Sequence, residues 1–213
     1  MAASCRRAEE RTGDDVTPAQ HPIEVESYRI LRSQVDTARL PPGTRVVTER
    51  VIHASADLDY AKDLVCDEDA LRAGQRALAG EAPLVVDVRM LAAGITSRQC
   101  VVALDLVPAL GPVQGLTRSA AGIRMAAAEH PQGAVWAVGN APTALRELVR
   151  LAADGVLRPA LVIGLPVGFV DAAQAKAALR DSGLPALSNR SAKGGTAVAA
   201  AAVNALLSWR PVP

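Results

Sequence analysis

Three side chains in this sequence are of the right type and setting for acid–base or anion chemistry: His53, Arg118 and Lys193. Glu49 lies four residues before His53 and Asp57 four after. On a continuous helix either carboxylate could hold the imidazole and raise its pKa, giving a general acid near neutrality. The same spacing also suits a structural histidine satisfied by its partner. His21 and His130 stand beside prolines at segment ends and read as solvated. Arg118, in Leu116-Thr117-Arg118-Ser119, offers a planar fork for a carboxylate, or is a plain surface arginine. Lys193-Gly194-Gly195-Thr196 sets a cation and permissive glycines before the last helical stretch. It is only loosely a phosphate loop, because the lysine precedes the glycines, and neither GxxxxGK[ST] nor GxGxxG occurs. An ATPase or a classical dinucleotide enzyme is therefore disfavoured. No GxSxG elbow and no metal-ligand spacing is present either.

Two further loops carry polar groups. Asp87 ends an apolar run and leads through Met90 to Gly94-Ile95-Thr96, which places a carboxylate at a strand end and a hydroxyl in a turn. Gly139-Asn140-Ala141-Pro142-Thr143 follows another apolar run and opens a helix. Asn140 suits the cap, Pro142 the first turn, and Gly139 the close approach of a ligand; free amides at such a start favour an anion. Both loops also read as polar helix caps with no ligand.

The elements that must position these groups follow from periodicity. His21-Pro22-Ile23 opens a helix with Ile23, Ser27, Ile30, Leu31, Val35 and Ala38 on one stripe, ended by Pro41-Pro42-Gly43. Thr44 is placed to cap a second helix with Val47, Val51 and Ala54 on one face, and a third helix follows Asp67. From Leu84 onward, apolar runs alternate with Ala-rich helical stretches. The pattern predicts five strands: Leu84 to Val88, Cys100 to Leu104, Ala134 to Val138, Ala160 to Leu165 and Ala186 to Asn189. Near-continuous apolar strands imply burial on both faces. The expected fold class is α/β, a three-layer sandwich with a mainly parallel five-stranded sheet and an N-terminal helical subregion. Residues 1–20 read as a flexible polar tail and 21–213 as a single α/β domain.

Composition narrows the partners. With two Trp, two Tyr and one Phe in 213 residues, the core is built from Ala, Val, Leu and Ile, and base stacking has few platforms. A formal net charge of +1 adds no field for a polyanion, so no nucleic-acid partner is expected. Cys5, Cys66 and Cys100 are too few and too scattered for a disulfide framework. The apolar tract Ala197 to Leu207 falls short of the ~20 residues of a membrane span. The expectation is a soluble, cytoplasmic protein with no membrane partner.

One set of fragments carries more than spacing. Val51-Ile52-His53-Ala54, Asp87 with Met90, Gly94-Ile95-Thr96 and Thr117-Arg118-Ser119-Ala120-Ala121 occur in that order. They are followed by Gly139-Asn140-Ala141-Pro142-Thr143-Ala144-Leu145, Gly164-Leu165-Pro166-Val167-Gly168-Phe169-Val170, Lys193-Gly194-Gly195 and Asn204-Ala205-Leu206. Together, from about Pro22 to Leu207, they resemble the precorrin-8X methylmutase family of cobalamin biosynthesis. The resemblance implies an isomerase that shifts a methyl group between adjacent carbons of ring C, turning precorrin-8X into hydrogenobyrinic acid with no separate cofactor. It implies a homodimer and assigns His53 as the proton donor to a ring nitrogen. It places Ser27, Thr96 and Arg118 where the family contacts the macrocycle or its carboxylates; loop geometry extends that set to Asp87, Asn140, Thr143 and Lys193. Ser191-Ala192-Lys193 departs from the Gly-Arg-Lys or Gly-Arg-Leu common there, with Arg190 one step away to compensate. Cobalt-precorrin-8 methylmutases of the anaerobic route share these motifs. A non-catalytic corrinoid carrier is the alternative of another class.

Overall fold

The runs Leu84–Val86 (β2), Val135–Val138 (β4) and Leu161–Gly164 (β5) are buried along their whole length, as strands covered on both faces must be. Their side chains divide by the period of two. Val135, Ala137, Leu161 and Ile163 enter one apolar cluster, whereas Trp136, Val138 and Val162 enter the other. The computed structural model describes residues 21–108 and 115–210. The tail expected over residues 1–20 lies outside them.

The chain begins with α1 (Pro22–Gln34), α2 (Pro42–Ser55), the single turn α3 (Tyr60–Asp63), β1 (Leu64–Cys66) and α4 (Glu68–Ala79). After β2 come α5 (Arg89–Ala93), β3 (Val101–Val102), a 3-10 turn (Ala103–Leu106) and α6 (Arg118–Glu129). Beyond β4 lie α7 (Pro142–Ala153), β5, α8 (Ala172–Asp181), β6 (Ala186–Asn189) and α9 (Thr196–Ser208). The sheet order is β1-β6-β5-β4-β2-β3, and all pairings except that of β1 are parallel. Buried residues of α2, α4 and α9 cover one face and those of α6, α7 and α8 the other. This is the expected three-layer α/β architecture.

The strand count is corrected from five to six. Leu64–Cys66 pairs antiparallel to β6, in the register Leu64 with Asn189 and Cys66 with Leu187. Three residues between Asp63 and Asp67 carry too little periodicity to announce a strand; pairing to an existing edge makes them one. The run expected from Cys100 to Leu104 pairs only over Val101–Val102 before turning into the 3-10 segment. Strand order reverses between β2 and β4, which defines a crevice beyond their carboxyl ends. Among the described residues no helix is long and apolar enough to cross a membrane.

Candidate active site

Helix α1 starts where His21 accepts the Ile23 amide on Nδ1 at 3.3 Å and Pro22 supplies the first turn. Helix α2 starts differently from the sequence reading. Pro42 and Gly43 belong to it, and Thr44 is not its cap. The Glu68 carboxylate reaches over from α4 to accept the Gly43 and Thr44 amides, both at 2.9 Å, so a charge on another element satisfies the helix start. Helix α2 runs to Ser55 and stops at Ala56 in the left-handed region, φ 53°. His53 therefore stands in its last turn. Val47 and Val51 are buried as expected, whereas Ala54 is exposed.

Neither expected carboxylate holds His53. Glu49 is 4% exposed and is held by Arg32 (2.6 Å), Thr37 (2.5 Å) and Arg45 (2.9 Å). Burial pushes the Glu49 carboxyl up, but those hydrogen bonds and the Arg32 charge outweigh it and hold it at about 2. The left-handed turn at Ala56 takes Asp57 off the helix face, and it pairs with Lys193 instead. The partner of His53 comes from α1: Ser27 Oγ lies 2.9 Å from Nδ1. Tyr28, the next residue, stacks on the imidazole with ring centroids 4.9 Å apart and planes 11° from parallel. The histidine and serine are half-buried beside a cleft of about 210 Å³, lined with Ile30, Leu31, Ile52 and Leu58 among others.

The apolar stripe of α1 is not buried as its spacing suggests. Of α1 only Leu31 is buried; Ile23 and Ile30 are 74% and 44% exposed, and Ile30 forms part of the cleft wall. Tyr28 was not among the residues singled out by sequence. In a chain with two Tyr, two Trp and one Phe, an aromatic next to Ser27 is the available signal.

The crevice between β2 and β4 is filled by the chain itself. Asp87 is fully buried and accepts the amides of Asn140 (2.8 Å), Ala141 (3.2 Å) and Gly139 (3.3 Å). Burial raises the Asp87 carboxyl above its ordinary range, with those three amides pulling the other way. The amides of Gly139, Asn140 and Ala141, just before α7, are thus already taken, and Asp87 is turned inward. Asn140 is not the cap of α7, a position held by Ala141. Gly139 is required for helix packing: a Cβ there would sit 2.9 Å from the Ala199 Cβ and 3.0 Å from Thr196 Cα on α9.

The remaining expected contacts lie on several separate loops. Thr143 and Thr117 join their hydroxyls at 2.8 Å, tying the start of α7 to the cap of α6, where the Thr117 Oγ1 accepts the Ala120 amide. Arg118 is the first residue of α6, donates to the Pro108 carbonyl at 3.1 Å and borders a cleft of about 470 Å³ with Arg89 and Asp105. Thr96 is exposed on a turn that Asn204 fastens from α9 by donating to the Gly94 carbonyl at 2.8 Å. Lys193 is already paired, its Nζ 2.8 Å from Asp57 and 2.7 Å from Asp59, so it ties the loop after β6 to the turn behind His53. The Lys193 backbone is anchored from below by the buried Lys176, which donates to its carbonyl at 2.6 Å and to Asn189 at 2.8 Å. Gly194 adopts φ 151°, and a Cβ there would meet the Leu165 carbonyl oxygen at 2.3 Å. Its role is close approach to that backbone. Arg190 sends its guanidinium to the Lys62 carbonyl at 3.3 Å.

The chain matches known proteins over nearly all its described length. The family model described as precorrin-8X methylmutase covers residues 22–209. A precorrin-8X methylmutase of Pseudomonas aeruginosa is 40% identical over 87% of this chain and 93% of that protein. A cobalt-precorrin-8 methylmutase of Methanocaldococcus jannaschii is 39% identical over 76% of this chain and 78% of that protein. Among solved structures, a precorrin-8X methylmutase from Thermus thermophilus superposes with a TM-score of 0.80 at 35% identity, covering 87% of this chain and 93% of that one. With its α/β sandwich and the half-buried His53 beside an aliphatic cleft, the chain belongs to the precorrin-8X methylmutase family.

Proposed function

We propose that the protein is an isomerase of cobalamin biosynthesis that moves a methyl group between adjacent carbons of ring C of precorrin-8X, giving hydrogenobyrinic acid, with His53 as proton donor. Family membership supports the reaction class, and the setting of His53 supports its role. Ser27 engages Nδ1 at 2.9 Å, so Nε2 is the nitrogen left for substrate. In the imidazolium, Nδ1–H donates to the Ser27 oxygen while Nε2–H is the acid. Protonation of a ring nitrogen withdraws electrons from the conjugated system and eases migration. One carbon–methyl bond breaks, another forms at the neighbouring carbon, and the lent proton returns to the imidazole, so no redox partner enters.

In this reading the aliphatic cleft meets the flat face of the macrocycle, and Arg118, at the start of α6, binds a peripheral carboxylate. Thr96, Asn140 and Thr143 border the ligand as hydrogen-bonding groups, Ser27 acts through His53, and Lys193 and Asp87 shape the loops. Residues 21–213 work as one unit. A homodimer is supported by the exposed apolar residues Ile23, Val25, Phe169 and Val170, the last two at 104% and 84% exposure. Light scattering at micromolar concentration tests it, with a monomer counting against it.

The deciding experiment is a single-turnover absorption spectrum after mixing the protein with precorrin-8X. Conversion to the product spectrum is expected. A corrinoid carrier would bind and leave the substrate spectrum in place, and a parallel run with cobalt-precorrin-8 tells which form the site accepts.

A further inference from the structure

A hydrogen bond to one ring nitrogen fixes the distance of an imidazole but not its plane, because the ring can still swing about the axis of that bond. At His53 the second constraint comes from Tyr28, whose ring lies 4.9 Å away at 11° to the imidazole. Tyr28 is itself held. The Arg32 guanidinium lies 5.6 Å from its ring centroid, and Arg50 Nη1 approaches its hydroxyl at 3.4 Å. Both arginines are anchored across the α1–α2 contact, Arg32 by Glu49 at 2.6 Å and Arg50 by Glu24 at 2.7 Å. Ser27 and Tyr28 are neighbours on one helix, so one element sets both the distance and the plane of a ring carried by another.

We infer that Tyr28 is a positioning residue for the reaction, a flat platform that fixes the plane of the His53 imidazole so that Nε2 is presented in one direction. The inference rests on the reading of His53 as proton donor. What it asks of position 28 is the aromatic face, and the hydroxyl is dispensable: Arg32 is already placed over the ring by its own ion pair.

The test compares Tyr28→Phe and Tyr28→Leu in the full-length protein by turnover of precorrin-8X and, without substrate, by NMR of the His53 ring. Tyr28→Phe is expected to keep kcat within about twofold and the upfield ring-current shift of the His53 ring protons. Since misplacing a reacting group by ~1 Å is worth about 10²-fold, Tyr28→Leu is expected to lower kcat by about 10- to 10²-fold with KM little changed. It should also lose the ring-current shift. Wild-type kcat in a folded Tyr28→Leu protein overturns the inference, as does an equal loss in Tyr28→Phe. If Tyr28→Leu does not fold, the wild-type spectrum decides: a His53 ring without the upfield shift overturns the inference, and its presence together with an active Tyr28→Phe upholds it. Failure of the donor reading itself is told apart by His53→Ala, whose full activity would discard the donor role while leaving the NMR comparison intact.

Discussion

Two regions gather polar side chains out of full solvent, and they use them differently. In the crevice between β2 and β4, the Asp87 carboxylate is fully buried and accepts three backbone amides, so its partners come from within the chain. Between α1 and α2, ion pairs and a stack surround a half-buried titratable ring beside an aliphatic cleft. The crevice is where an open α/β sheet ordinarily takes its ligand. Here the Asp87 carboxylate binds the chain's own amides, and the proposed acid stands on the helical pair instead. The buried carboxylate serves to tie two loops of the scaffold together, whereas the ring held on one nitrogen beside a cleft is the candidate for chemistry.

Substitutions at the two regions should separate along that line. The largest effect is expected from His53→Ala: general acid catalysis by one residue is worth about 10²- to 10⁴-fold, so kcat should fall by that factor while the melting temperature stays near wild type. Product affinity, read by absorbance titration, should change little. Asp87→Ala should act in the opposite currency. It strands three amides, at a cost of about 3 kcal/mol in urea unfolding, with turnover per folded molecule falling much less. A loss of kcat/KM at unchanged stability would move Asp87 into the substrate site and erase the contrast.

Glu49→Gln sharpens it on the helical side. Because the folded carboxyl is held at about 2, below its ordinary 4.5, its stabilisation is complete above about pH 4.5 and drains away as pH falls toward 2. Thermal melts at neutral pH should show the variant on the order of 2 kcal/mol less stable, and between pH 4.5 and 2 its stability should fall less steeply than that of wild type. The smallest effect is expected from Arg118→Ala. A lost carboxylate contact made equally in ground and transition states raises KM about tenfold and leaves kcat alone, which steady-state kinetics resolves.

Much of this was legible in the residues. The parallel strands, the helix that follows Asp67 and the last helix follow from apolar runs and helical spacing, which act over a few residues. The misread points share a cause. Glu68 capping α2, Ser27 on His53, Asp87 on the Gly139 loop and Lys193 on Asp57 all join residues far apart in sequence. Local spacing offered nearer partners for three of them: Thr44, Glu49 and Asn140.

The sequence by itself determined the layered α/β class, the aliphatic core and, through the order of its motifs, the family. The tertiary structure alone decided which polar groups are spent on each other and which residues, Ser27 and Tyr28, meet the His53 ring. The physical reason is that helix and strand formation depend on short-range periodicity, whereas the pairing of a charge depends on which donors the packed layers bring within about 3 Å of it.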